Sequence, residues 1–175
     1  MGLRESIGKP AVGGPIAAVI IVLAIVVGVA MSGDDDAERD WHEQLWYYDL
    51  NTDQIYADKS GQIVPITAPS GALSKDVGPL KAGEPAGAEA HVFSCGACKE
   101  GEQFVGFIVT YTKEGREAVD KGADFSMQSM EGHVIRAGDG EEWLKYHTDE
   151  GRGIMRNAKA KCAGKKAQRC YPATR

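Results

Sequence analysis

The chain has 175 residues, 43% of them hydrophobic, with four cysteines and a formal net charge of −5 at pH 7. It lacks G-x-S-x-G, H-E-x-x-H and Walker-type motifs and paired Rossmann glycines, and no active site can be assembled from its residues. The histidines show no ligand spacing among themselves: His42, His91, His133 and His147. Nothing in the sequence therefore indicates a hydrolase of these types, a zinc protease or a nucleotide-binding protein. The sequence therefore favours a structural or binding role over catalysis.

The first predicted element is a transmembrane helix over residues 11–31. This stretch, AVGGPIAAVIIVLAIVVGVAM, has no charged residue. At about 1.5 Å per helical residue it is just long enough to cross a hydrocarbon core about 30 Å thick. A cleaved secretory signal is the alternative, because Gly28 and Ala30 are small residues at A-x-A spacing. The apolar part of a signal is usually only about 7–15 residues long, which favours the anchor.

Basic residues on either side of this segment predict its orientation. Arg4 and Lys9 precede it, whereas only Arg39 lies between it and Asp58. The positive-inside rule therefore places residues 1–10 in the cytoplasm and the rest of the chain outside it. We expect a single-pass protein of the cytoplasmic (inner) membrane, whose C-terminal domain lies in an extracytoplasmic compartment that allows disulfides.

The exported part is predicted to be an α+β domain, with an antiparallel sheet of hairpins and two or three short helices. A juxtamembrane acidic stalk over 32–45 precedes this domain, which covers 46–175. Aromatic and β-branched residues over 45–66 are interrupted by Asn-Thr-Asp and Lys-Ser-Gly, which predicts three short strands. Pro and Gly recur over 68–90 without an apolar period, which predicts a long loop.

The second half is predicted to contain two more hairpins and two capped helices. The runs AHVFS and QFVGFIVTYT are typical of paired strands, joined by CGACKEGE. GHVIRA and EWLKYH flank Gly-Asp-Gly-Glu as a second hairpin. Thr112 is positioned to cap a short helix that ends near Gly122, and Thr148 to cap a final helix that runs to about Lys161.

The cysteines carry the most specific signal in the sequence. Cys95 and Cys98 have C-x-x-C spacing on the connection of the first of these hairpins, and Cys162 and Cys170 lie near the C-terminus. An even number of cysteines in an exported domain predicts two structural disulfides, for which three pairings are possible. We expect Cys162 to pair with Cys170 across a short Gly-containing loop. Cys95 and Cys98 would then close a small loop. In the alternative, each of them reaches the C-terminal segment and pairs with Cys162 or Cys170.

Two other roles for these cysteines stay open. Tetrahedral Zn²⁺ needs four ligands, which Cys95, Cys98, Cys162 and Cys170 could supply, although the spacing of the second pair matches zinc ribbons only weakly. Cys95-Gly96-Ala97-Cys98 also resembles the thioredoxin motif, which implies thiol–disulfide exchange. The strand-like run after Cys98 supplies no helix dipole to lower the pKa of a thiol. A thioredoxin-like site also has a cis-proline that faces the motif from a later strand, but no proline lies between Cys98 and Pro172. Disulfides require no cofactor, whereas the zinc site would make zinc the cofactor.

Charge is divided between the two ends of the exported part. Acidic residues crowd 34–58, whereas the chain after Glu150 has no acid. The cations of the C-terminal segment form a candidate partner surface: Arg152, Arg156, Lys159, Lys161, Lys165, Lys166 and Arg169. Such a surface suits an anionic partner, for example on another envelope or membrane protein, or it is simply solvated. Nucleic acid is a poor candidate, because the location is exported and no aromatic residue is interleaved with these cations.

Three stretches after the span, WYYDLNTDQIY, HVFSCGACKEGEQFVGFIVTYT and EGRGIMRNAKAKC, carry a family resemblance. With the span, they make the chain similar to uncharacterised single-span envelope proteins associated with planctomycete bacteria. The resemblance covers most of the chain after the span and implies an envelope location and a single exported domain, but no reaction. We therefore expect a membrane-anchored extracytoplasmic structural or interaction module, such as an accessory subunit of a membrane complex.

Overall fold

The structure, a computed structural model, describes residues 42–123 and 126–173. The predicted span over 11–31 lies outside these residues, as does most of the predicted stalk. Within the described ranges, no helix is both long and apolar enough to cross a bilayer. The unit that holds the described residues begins at His42, so the sheet already includes the end of the predicted stalk.

Short runs of aromatic and β-branched residues form an antiparallel sheet. Its strands in the described part of the chain are β1 (Gln44–Asp49), β2 (Gln54–Lys59), β3 (Gly87–Ser94), β4 (Gln103–Tyr111), β5 (His133–Ala137), β6 (Leu144–Lys145) and β7 (Gln168–Cys170). They lie in the order β2-β1-β3-β4-β5-β6. β1 pairs with residues 87–89 of β3, and β7 pairs with residues 92–94 of the same strand. The C-terminal segment thus returns to the sheet beside the β3–β4 connection.

Three helices accompany the sheet among the described residues, α1 (Lys113–Asp120), α2 (Met127–Gly132) and α3 (Asp149–Ala160). Both predicted caps are confirmed, since Thr112 and Thr148 accept hydrogen bonds from the backbone N–H groups of Gly115 and Gly151. α1 and α2 meet backbone to backbone, because a Cβ atom on Gly115 would lie 2.8 Å from the Cα of Gly132. The α+β class is therefore confirmed for this domain.

Both faces of the sheet are covered. On one face, buried residues of the segment between β2 and β3, such as Leu73 and Leu80, pack against Ala90 and Ile108. On the other face, α3 packs against a cluster that comprises Phe93, Phe107, Val109, Ile135 and Ala158. The region predicted as a loop over 68–90 is therefore a covering segment with core residues of its own.

Two predictions for this region are wrong, the start of β3 and the third strand before Ala68. β3 begins at Gly87, inside the predicted loop, because small residues of this stretch are buried in the sheet. The predicted third strand before Ala68 is reduced to an isolated bridge between Ile66 and Gly87. Pro65 has no N–H to donate, so this stretch does not continue a ladder.

Candidate functional site

Two disulfides join the β3–β4 connection to the C-terminal segment. Cys95 pairs with Cys162 and Cys98 pairs with Cys170, with Cα–Cα distances of 5.1 and 5.5 Å. The predicted disulfides are confirmed. The expected pairing of Cys162 with Cys170 is wrong, and the alternative, in which Cys95 and Cys98 each reach the C-terminal segment, is the one observed. The observed pairing follows from β7. The ladder of β7 with β3 brings Cys170 opposite Val92 and close to the turn that carries Cys98. We refer to these four residues as the disulfide clasp.

The clasp bears on the two alternative roles of the cysteines. All of them are bonded, so none offers a thiolate to zinc. Among the described residues there is also no group of three or more His, Cys, Asp or Glu side chains placed to hold a metal ion. A thioredoxin-like dithiol cycles through a disulfide between its own two sulfurs. Cys95 and Cys98 instead bond to different partners.

β7 also brings a cation to a carboxylate on the sheet. Arg169 lies opposite Phe93 in the β3–β7 ladder, and its Nη2 is 3.3 Å from Glu89 Oε1. His91 Nε2 lies 3.1 Å from the same oxygen, and the side chains of His91 and Glu89 are 16% and 25% exposed. We refer to Glu89, His91 and Arg169 as the charged centre. It connects the middle of β3 to the strand that the clasp holds.

The electrostatics of the charged centre follow from its partial burial. Burial by itself would raise the pKa of Glu89, but the hydrogen bond from His91 and the charge of Arg169 outweigh it, so this pKa lies below its ordinary value. Burial lowers the pKa of His91, and Arg169 adds to that effect against the opposing influence of Glu89. At pH 7 the charged centre therefore contains an ionised carboxylate, a guanidinium and a neutral imidazole.

A stack of rings lies within electrostatic range of this centre. The ring of His133 lies between Tyr111 and Tyr146, at centroid distances of 4.4 and 4.2 Å, and His147 approaches it edge-on at 5.4 Å. Burial, and then the charge of His147, lowers the pKa of His133 to about 4, although Glu89 acts in the opposite direction. The fold thus brings together histidines that have no ligand spacing in the sequence.

Little in the sequence indicates the charged centre, because Glu89 falls within the predicted loop. A signal was nevertheless available in the alternation of side chains along β3. Glu89, His91 and Phe93 lie on one face of this strand, whereas the small residues Ala88 and Ala90 lie on the other and are buried. An alternation of this kind is typical of a strand.

The predicted partner surface is exposed except for one residue. Arg169 turns toward Glu89, and the other six cations are exposed. Arg152, Arg156 and Lys159 have i, i+4, i+7 spacing on α3, which places them within about 60° of each other around the helix axis. The remaining three follow the helix, at Lys161, Lys165 and Lys166. We refer to the six exposed cations as the basic face.

Carboxylates compensate the basic face only in part. Arg152 Nη2 lies 2.7 Å from Asp149 Oδ1, and Lys161 Nζ lies 2.7 Å from Asp139 Oδ2. In the described part of the chain, no carboxylate oxygen lies within 4.0 Å of the charged nitrogens of the other cations, which are Arg156, Lys159, Lys165 and Lys166. The basic face therefore carries uncompensated positive charge into solvent.

Clefts occur away from the basic face. One of about 310 Å³ is lined by residues that include Asp49 and Tyr56, and another of about 390 Å³ by residues that include Trp143 and Lys145. Comparisons of the chain with family models, with curated proteins and with solved structures found no match. Function is therefore inferred from the clasp, the charged centre and the basic face, and the resemblance to planctomycete envelope proteins stays a prediction.

Proposed function

We propose that the protein is a membrane-anchored extracytoplasmic interaction module, an accessory component of an envelope or membrane complex, whose cysteines are structural. The disulfide clasp is the observation that carries this proposal. Disulfides form and persist in oxidising compartments, which is where the orientation of the predicted span would place the domain. Every cysteine of the chain is used in this way.

The clasp also supports a structural role for the cysteines over a redox role. Its bonds join residues 67 and 72 positions apart, so they restrict the unfolded chain strongly. Cys162 and Cys170 are 3% and 2% exposed, whereas their partners Cys95 and Cys98 are half-buried, so each bond has one sulfur shielded from attack by other thiols. The clasp therefore stabilises a C-terminal segment that presents the basic face to a partner.

The proposal is tested with the full chain, tagged at its N-terminus and expressed in a Gram-negative bacterium. Protease added to spheroplasts should digest the C-terminal domain and leave the tag protected. Alkylation of the unreduced, denatured protein should modify no cysteine, and alkylation after reduction should modify all four. A domain that resists protease until the membrane is opened, or four thiols that react without reduction, would contradict the proposal.

A matched pair of variants tests the tether itself. Val22→Lys with Ala24→Lys places two charges in the middle of the predicted span, where each is costly to insert. This variant should leave the membrane fraction, whereas Lys99→Gln with Lys121→Gln, changed at exposed positions of the domain, should remain there. Loss of the N-terminal tag from the mature wild-type chain would instead identify residues 11–31 as a cleaved signal.

A further inference from the structure

The segment that carries the basic face has an extreme charge balance. Residues 151–173 contain seven Lys and Arg residues and no acid. Four of these cations, Arg156, Lys159, Lys165 and Lys166, are exposed and have no ion-pair partner within the described ranges. Neighbouring like charges repel each other, and a negatively charged partner removes this repulsion. The basic face is therefore suited to an anionic surface.

The clasp presents these cations in a defined arrangement. Cys162 and Cys170 are both bonded to the β3–β4 connection, so the segment 163–169 is anchored at each end. Within it, the backbone N–H of Lys165 donates to the carbonyl of Cys162 at 2.9 Å. Arg156 and Lys159 are held on α3 by the helix itself. A preorganised surface loses less conformational entropy on binding than a flexible tail does.

The shape of this surface favours an extended partner over a small one. The apolar side of α3, with Ile154, Met155 and Ala158, packs against the sheet, so the outward side of the helix is convex and polar. Small ligands prefer concave sites, and neither of the clefts described above includes a residue of the basic face. A convex cationic face instead contacts several anions of a planar array at once, as polybasic segments do on membranes.

We propose that the basic face binds the anionic phospholipid headgroups of the membrane that the chain is anchored in. The inference rests on the proposed function, because the tether keeps the domain beside those headgroups. Contact is electrostatic and superficial, since the apolar side of α3 already packs against the sheet. Each cation near an anionic leaflet contributes about a fivefold gain in association.

The test uses the full chain in nanodiscs of neutral phosphatidylcholine, or of the same lipid mixed with phosphatidylglycerol. Amine acylation followed by mass spectrometry gives a rate for each lysine. Lys159, Lys165 and Lys166 should react at least about fivefold more slowly in the anionic discs. Lys113, the first residue of α1, and Lys121, which follows this helix, are exposed and serve as internal controls that should react equally in both discs. The protection should disappear in about 0.5 M salt, where charges are screened within a few ångströms.

Two double variants separate the basic face from net charge. Lys165→Gln with Lys166→Gln should abolish most of the protection of Lys159 in anionic discs. Lys113→Gln with Lys121→Gln removes the same charge from another element and should leave that protection unchanged. Equal loss of protection in both variants would overturn the inference, because it would mean that net charge alone attracts the domain.

The outcomes also distinguish this inference from the tether. Insertion into both kinds of disc with equal lysine rates would overturn the inference while the tether stands. Failure to insert into neutral discs, with protection of the same lysines on anionic vesicles, would refute the tether and show that the basic face binds anionic headgroups without it. Protection by soluble inorganic polyphosphate but not by anionic discs would assign the basic face to a soluble polyanion and overturn the membrane contact.

Discussion

The imidazole of His133 lies between two tyrosine rings, where its neutral form is the stable one. Its pKa of about 4 in the folded protein lies below the ordinary value of about 6.5. The unfolded chain therefore binds this proton more tightly than the folded one does. It follows that stability is lost as the pH falls from about 6.5 toward 4. His91 and His147 add to the repulsion that a protonated His133 meets, and Glu89 opposes it.

Replacing His133 with Phe tests this effect. The variant keeps a ring in the stack but has no group to protonate, so its stability should fall less between pH 6.5 and 4. After allowance for solvent screening, the difference in the unfolding free energy at pH 4 should be about 2 kcal/mol. Urea titrations at a series of pH values measure it. Tyr146→Phe, which removes only a hydroxyl from the same stack, should retain the wild-type slope.

Glu89 is stabilised by two donors, so the effect of removing one depends on the other. Arg169→Gln leaves a half-buried carboxylate with one donor fewer and should cost about 2 kcal/mol. Glu89→Gln together with Arg169→Gln should cost less than the sum of the single changes, by about 1 kcal/mol. A double-mutant cycle at pH 7, with unfolding free energies from urea titration, measures this coupling. Strict additivity would show that the contact contributes nothing.

At the level of elements, α3 contains two glycines with opposite surroundings. A Cβ atom on Gly151 would lie 2.9 Å from the carbonyl oxygen of Tyr146, whereas one on Gly153 would meet only the Arg156 guanidinium, at 3.8 Å. Gly151→Ala should therefore lower stability by about 2 kcal/mol through overpacking. Gly153→Ala should raise it by about 0.5–1 kcal/mol, because alanine has the higher helix propensity. Thermal unfolding of the two variants compares them in one helix.

Local signals predicted those elements that local forces determine. The caps at Thr112 and Thr148 were found from their sequence, because a cap depends on residues within one turn. Neither β7 nor α2 is predicted. β7 has only three residues and exists through its pairing with β3, which no local pattern shows. The same gap explains the wrong disulfide pairing. Proximity in sequence favoured Cys162 with Cys170, whereas a ladder between distant strands decided the partners.

At the scale of the whole molecule, the clasp links the sheet to the C-terminal segment. Removing one of its bonds, by Cys95→Ser with Cys162→Ser, should lower stability by about 3 kcal/mol. Cys98→Ser with Cys170→Ser should cost more, because it also loosens β7 and the contact of Arg169 with Glu89. Thermal unfolding without reductant ranks the two variants. The reverse ranking would show that β7 does not depend on its disulfide.

The pairing itself has a direct check. Both of these matched variants should contain no free thiol, because the remaining two cysteines are partners. Cys95→Ser with Cys98→Ser should instead expose two thiols, since it removes one partner from each bond. A thiol count on the unreduced, denatured proteins measures this. If Cys95→Ser with Cys98→Ser contains no free thiol and the other two variants do, Cys162 pairs with Cys170 and Cys95 with Cys98 instead.

The three residues of β7 have a consequence for how copies of the protein behave toward each other. β1 pairs with β3 only over residues 87–89, and β7 covers residues 92–94. Without β7, the backbone donors and acceptors of this apolar stretch would be open to a strand from another chain. Reduction of the Cys98–Cys170 bond should therefore promote edge-to-edge association and aggregation, as well as lowering stability. The cysteine in a three-residue strand therefore covers the end of β3 against pairing with another chain.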